Sequence, residues 1–265
     1  MVQGVEKLGQ YLQGHEGSYV IIGGVATQLH LSTAQLPFRK TVDLDIILCV
    51  EALSEAVFVS LWKMVGDGGY QVIERGESGA IFYRFSRPED QSFPAVIELF
   101  SRIAVDSYDE DVPGTRFTPI PNPNGADSLS AIVLSDGYYE FALDNCVDID
   151  GIRVLTPAAL VPFKARAWLD LTARRRSGGH VDSKDIKKHR GDICRLGPLL
   201  SRSAPIGLPQ RIRDDVADFI EDALSGGPEP AAYGVSGITL GELAELLRSV
   251  YQIAPTDDSV LSTDR

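Results

Sequence analysis

The sequence predicts an α/β (α+β) protein in two parts: a mixed-sheet half over residues 1–155 and an α-helical half over 156–254. Residues 255–265 read as a polar, disordered tail. Three observations carry this expectation. Residues 19–48 (YVIIGGVATQLHLSTAQLPFRKTVDLDIIL) run as apolar strand, glycine turn, helix, loop and a second strand. Two later segments, 70–85 and 95–100, keep the short apolar runs of strands. After Thr156-Pro157, with threonine as N-cap and proline at the first helical position, the apolar spacing turns helical.

Each element follows from local pattern. Val5, Leu8 and Leu12 stand at helical spacing and predict a first helix over 2–13. His15-Glu16-Gly17-Ser18 is a turn. Between Gly24 and Asp43 there is room for one helix and a loop, with Pro37 closing the helix. Leu53, Val57, Leu61 and Val65 form one stripe of an amphipathic helix over 51–66, which the glycines at 66, 68 and 69 end. Residues 70–74 and 80–85 read as a hairpin, and 95–100 as another strand. The stretch 106–128, rich in Asp, Pro, Asn and Gly, reads as loop, and 131–150 as further strands. Helices are expected at 158–172, 182–200, 210–224 and 240–251, with a basic connection over 174–180.

Composition bounds the partners. The chain carries 37 acidic and 25 Lys or Arg residues, net charge −12, which argues against bulk adhesion to nucleic acid. The charge is uneven: residues 164–195 hold ten Lys or Arg against four Asp or Glu. One locally basic segment inside an acidic protein suits a grip on a phosphate-bearing ligand. No apolar run approaches the roughly 18 residues of a membrane span, and the N-terminus has no secretory pattern, so a cytoplasmic protein is expected. Cys49, Cys146 and Cys194 lack metal-ligand spacing and suit small residues in a reducing cytosol.

The chemistry concentrates in Val42-Asp43-Leu44-Asp45-Ile46-Ile47-Leu48. On a strand, both carboxylates point to one face. An acidic chain shows Asp-x-Asp often, and the pair can simply face solvent on an edge strand. Glu98, inside Val96-Ile97-Glu98-Leu99-Phe100, adds a third carboxylate among large apolar residues. If that strand pairs beside residues 42–48, three carboxylates converge as a two-metal phosphoryl-transfer site requires. Gly23-Gly24 would let backbone N–H groups approach phosphate oxygens at a helix N-terminus. No Walker A or G-x-G-x-x-G pattern occurs, and the Asp148-Ile149-Asp150-Gly151 stretch reads as a hairpin turn. Asp106 to Asp111 (DSYDED) lacks the EF-hand register, no His pairs at metal spacing and no G-x-S-x-G elbow is present.

Glycine pair, spacer, Asp-x-Asp on a strand and a third carboxylate on a later strand together resemble the DNA polymerase β-type nucleotidyltransferase superfamily. Residues 163–168 (FKARAW) and 183–192 (SKDIKKHRGD) look like the Lys and Lys-Asp-x-x-Asp elements of AbiEii-type nucleotidyltransferases. These include toxins of abortive-infection toxin–antitoxin systems. The resemblance spans about residues 19–196. It departs in a longer spacer between Gly24 and Asp43, and in Gly24 standing where many members have Ser.

The resemblance implies a polymerase β-like nucleotidyltransferase domain followed by a helical domain that lends basic residues to the site. Asp43 and Asp45 would hold Mg²⁺ (or Mn²⁺), and Glu98 would complete the set as ligand or as base. Lys164 would steady the triphosphate and Asp185 would lie near the nucleotide. Gly23, Gly24, Arg39, Thr41 and Lys184 would complete the nucleotide contacts. The implied reaction moves a nucleoside monophosphate from an NTP to an RNA such as tRNA, or to a protein, and releases pyrophosphate. The implied setting is a toxin with a cognate antitoxin. The competing expectations are a small-molecule, antibiotic-type nucleotidyltransferase and a catalytically silent nucleotide- or partner-binding protein.

Overall fold

A computed structural model describes residues 4–49, 52, 54–74, 80–101, 117–121, 128–133 and 136–254. By contact the chain divides into two compact units, Met1–Phe163 and Lys164–Arg265. The division falls inside a helix that begins at Pro157, a turn or two beyond the strand-to-helix junction at 155 that the sequence suggests. The tail expected over 255–265, and Leu53 of the expected helical stripe, lie outside the described residues.

Among the described residues the first unit is built on a nine-stranded mixed sheet. Its strands are β1 (Tyr19–Ile21), β2 (Asp43–Leu48), β3 (Gln71–Glu74), β4 (Ala80–Ser86), β5 (Val96–Ser101), β6 (Phe117–Pro121), β7 (Ser128–Val133), β8 (Cys146–Ile149) and β9 (Ile152–Leu155). The order is β3-β4-β5-β2-β1-β9-β8, with β7 joining β5 and β6 joining β7. β5 runs parallel to β2 along one edge and divides its other edge between β4 and β7. The helices of this unit are α1 (Val5–Tyr11), α2 (Gly23–Thr33), α3 (Glu55–Gly68) and α4 (Asp136–Asp144), joined by the start of α5 (Pro157–Arg176).

The strand period of two sorts the sheet into two faces. Leu44, Ile46, Phe85, Ile97 and Leu99 are buried, and Leu8 of α1 with Leu61, Met64 and Val65 of α3 enclose a small apolar cavity with Ile46, Phe85, Ile97 and Leu99. The alternate residues of β2 and β5, Asp43, Asp45 and Glu98, are left for the opposite face.

Two expectations fail in this unit. Part of the stretch 131–150 is helical rather than extended: α4 occupies Asp136–Asp144. Tyr138, Phe141 and Ala142 are buried at i, i+3, i+4 spacing, so tertiary packing overrides the strand preference of paired aromatics. Within 106–128, expected as loop, residues 117–121 form β6. Its Pro119 and Pro121 are tolerated because, among the described residues, β6 pairs with β7 alone. The hairpin at 148–151 is as expected: Ile149 pairs with Ile152, and Asp150 and Gly151 turn at φ 53° and 79°.

The second unit is helical, with α5 continuing into it, followed by α6 (Ser183–Leu196), α7 (Gln210–Leu224) and α8 (Leu240–Tyr251). α5 runs on to Arg176, so Arg174, Arg175 and Arg176 of the expected basic connection are helix; the turn comes at Ser177 and the glycines after it. α6 stops at Leu196 and a 3₁₀ turn at Gly197–Leu199 completes the expected segment. α7 and α8 pack on each other, and Phe219, Ile220, Leu243 and Leu247 on them are buried. Trp168 of α5 meets Phe219 edge-on at 5.5 Å. Thr239 and Glu242 form a capping box that starts α8. No helix of the described residues is long and apolar enough to cross a membrane.

Candidate active site

The register of two parallel strands assembles the acidic face. β2 and β5 pair Asp43 with Val96, Leu44 with Ile97 and Asp45 with Glu98. Partners across parallel strands share a face, and neighbouring strands lie about 4.8 Å apart. Asp45 and Glu98 are therefore lateral neighbours, and Asp43 lies two residues along the same face. Both aspartates are partly exposed, whereas Leu44 and Ile46 between and beyond them are buried.

A helix N-terminus closes on this face. Ile22 N donates to Asp45 O at 2.9 Å, so the β1–β2 ladder continues up to the point where α2 begins. Gly23 then turns at φ 67°. A Cβ there would sit 1.8 Å from Asp45 Oδ2, so the absent side chain is what lets the Asp45 carboxylate lie against the helix start. A Cβ at Gly24 would lie 2.8 Å from Thr41 Oγ1. Thr41 N in turn donates to Gln28 Oε1 at 3.3 Å, which ties the end of the preceding loop to α2. The first N–H groups of α2 have no partner within the helix, and its dipole favours negative charge there. Arg39 lies in the same loop and donates from Nη1 to Lys40 O at 3.2 Å.

One side chain beside these carboxylates lies outside the sequence expectations. Arg84 of β4 pairs in register with Glu98 and sets Nη1 3.2 Å from Glu98 Oε1. The available signal was a lone cation inside the strand Ala80-Ile81-Phe82-Tyr83-Arg84-Phe85-Ser86; choosing it required knowing that β4 lies beside β5.

The carboxylates suit a hard divalent cation in kind, since all three offer oxygen donors from neighbouring positions. Among the described residues, however, no three His, Cys, Asp or Glu side chains are gathered closely enough to hold an ion. Asp45 is turned to Gly23 and Glu98 to Arg84.

The remaining expected site residues belong to the second unit. Lys164 is 4% exposed and donates from Nζ to Asp192 Oδ2 at 2.9 Å. Asp192 also accepts from Arg195 Nη1 at 3.3 Å. The Lys164 ammonium is thus neutralised inside the helical unit instead of being offered to solvent. Lys184 and Asp185 stand in the first turn of α6, where Asp182 Oδ1 caps Lys184 N at 2.8 Å. Asp185 accepts from Lys188 Nζ at 3.0 Å, with both side chains substantially exposed.

No protein-family model matches this sequence. No curated protein matches it either. Among solved structures it is similar to the antibiotic-resistance factor ANT(2'')-Ia, with 14% identity and a TM-score of 0.39 over 83% of this chain and 91% of that one. It is also similar to a protein of H. pylori provisionally described as a nucleotidyltransferase, with 11% identity and a TM-score of 0.36 over 92% of this chain and 89% of that one. Likenesses this remote fix neither reaction nor substrate.

Proposed function

We propose that this chain is a divalent-metal-dependent nucleotidyltransferase that moves a nucleoside monophosphate from an NTP to an acceptor hydroxyl. The observation that carries the reading is the pairing of Asp45 with Glu98, with Asp43 on the same face and the α2 N-terminus beside them. Carboxylates at neighbouring positions of one sheet face favour a nearby cation, a place that Arg84 takes at Glu98.

In this reading Asp43, Asp45 and Glu98 hold Mg²⁺ or Mn²⁺, which when bound polarises the α-phosphate and neutralises the departing pyrophosphate. The acceptor oxygen forms the new bond to the α-phosphorus as the bond to the leaving pyrophosphate breaks. Glu98 is either a ligand or the base that takes the acceptor's proton. The N–H groups of Gly23 and Gly24 meet phosphate oxygens, flanked by Thr41 and Arg39. Glu98 joins the set by leaving Arg84, which then has a cation to offer the triphosphate.

Lys164, Lys184 and Asp185 enter by resemblance to AbiEii-type enzymes. For Lys164 to steady a triphosphate it must leave Asp192, and Asp185 must part from Lys188; a nucleotide has to outcompete both pairings. The same resemblance brings a toxin role, an RNA or protein acceptor and a cognate antitoxin into the proposal.

The test incubates the purified chain with each α-labelled NTP, Mg²⁺ or Mn²⁺, total RNA and cell protein. Label is expected in RNA or protein with wild type, and at least about a hundred-fold less with Asp45→Asn. If no NTP labels any acceptor, or D45N labels as well as wild type, the reading fails.

A further inference from the structure

We infer that the helical unit carries a binding groove for the phosphodiester backbone of single-stranded RNA, centred on Arg175 and Arg176. An open cavity of about 370 Å³ is lined by Trp168, Thr172, Arg175, Arg176 and Ile186. The first four form one stripe of α5 at i, i+4, i+7 and i+8, and Ile186 is brought to it by α6. This volume falls in the range of sites that take small ligands or segments of larger ones.

Three features name the ligand's chemistry. Thr172 Oγ1 is buried and has no hydrogen-bond partner among the described residues. Thr27 and Thr33 of α2, by contrast, donate back to Gly23 O at 2.8 Å and Leu29 O at 3.0 Å. Thr172 instead keeps a hydroxyl for something in the cavity. Arg175 at the lining and Arg174 beside it make no ion pair among the described residues, and Arg176 has only a solvent-exposed partner, Asp222 at 3.1 Å. Third, α6 carries Lys187 and Lys188 directly after Ile186. Two guanidinium forks, the Thr172 hydroxyl and the Lys187 ammonium, with Lys188 held by Asp185 at 3.0 Å, form a site for anionic oxygens repeated along a chain.

The charge map restricts where such a polyanion can dock. The chain is −12 overall, yet residues 164–195 hold ten Lys or Arg against four Asp or Glu. Outside this segment the chain holds 15 Lys or Arg against 33 Asp or Glu, so a polyanion is favoured at this segment over the rest of the chain. Treating the bound strand as the acceptor of nucleotidyl transfer rests on the reading proposed above; the binding itself does not.

The test uses the full-length protein and fluorescence anisotropy with a short, labelled, mixed-sequence single-stranded RNA, without NTP or metal. R175Q/R176Q is expected to weaken binding at least ten-fold and to reduce the slope of log affinity on log salt by about 1.4, two phosphates at about 0.7 each. Thr172→Val is expected to weaken it less, and the exposed-site control Arg211→Gln not at all. D45N, with transfer abolished, is expected to bind RNA as wild type does, so a failure of the transfer reading leaves this result standing. Equal binding by R175Q/R176Q, or equal loss with R211Q, overturns the groove. Displacement of the RNA by mononucleotide, inorganic phosphate or an acidic peptide at equal phosphate or carboxylate concentration overturns its assignment to a strand.

Discussion

Gly23 couples backbone conformation to the acidic face. Its φ of 67° already disfavours any L side chain, and Asp45 Oδ2 occupies the place of a Cβ. Gly23→Ala is therefore expected to act twice: strain of about 1–2 kcal/mol in the turn, and expulsion of the Asp45 carboxylate from the α2 N-terminus. Urea denaturation reads the first effect. Mn²⁺ titration reads the second, which should approach the loss caused by D45N; unchanged Mn²⁺ affinity would detach Gly23 from the site. At Gly24 the neighbour is Thr41, whose hydroxyl lies beside the turn where a serine at 24 would otherwise have placed one. The glycine pair was legible in the sequence as a turn. That one glycine serves Asp45 and the other serves Thr41 was not, because both contacts cross some twenty residues of chain.

Between elements, pairing register decides what the residues can do. The sequence establishes Asp43, Asp45 and Glu98 as carboxylates on strands, since two-residue alternation within each strand is local. Whether β5 lies beside β2, in which direction and at which offset are long-range matters; a slip by one residue would turn Glu98 into the apolar core. The same holds for Arg84, which joins Glu98 only through β4 pairing. In the helical unit, Lys164 of α5 and Asp192 and Arg195 of α6 make the corresponding tie. Asp192→Ala leaves the Lys164 ammonium buried without that carboxylate, and a loss of about 3–5 kcal/mol in denaturant unfolding is expected. Replacing both partners, Lys164→Met with Asp192→Leu, should recover much of it. If D192A is neutral, the pair does not support the packing of α5 on α6.

For the molecule as a whole, pH is a probe of buried polar links. Burial pushes the His30 imidazole below its ordinary value of 6.5, outweighing its hydrogen bond to Leu155 O at 2.9 Å. The carbonyl can only accept, so His30 Nε2 carries the proton there and joins α2 to the end of β9. As pH falls through 6.5 the unfolded chain takes up a proton that the folded chain resists, so stability falls with acidification. Glu16, Asp67, Asp90 and Glu242, held below the usual carboxylate range by hydrogen bonds, add losses of the same sign only at lower pH. His30→Gln is expected to flatten the stability profile between about pH 7 and 5.5 while leaving the more acidic limb. Denaturation midpoints across that range check it; an unchanged slope would show that His30 titrates freely.

The sequence by itself determined most of the elements and their order, the helical character after residue 156, the placing of Asp43, Asp45 and Glu98 on strands and the local concentration of positive charge. Each of these is written in short-range periodicity, capping residues or composition. It misread 136–144 because paired aromatics favour a strand until burial on one helical face outweighs that preference. Tertiary structure alone decided that Asp45 faces Glu98, that Arg84 stands next to them, and that Lys164 is enclosed with Asp192. Those outcomes depend on strand pairing and helix packing between residues distant in the chain, for which no local pattern carries the information.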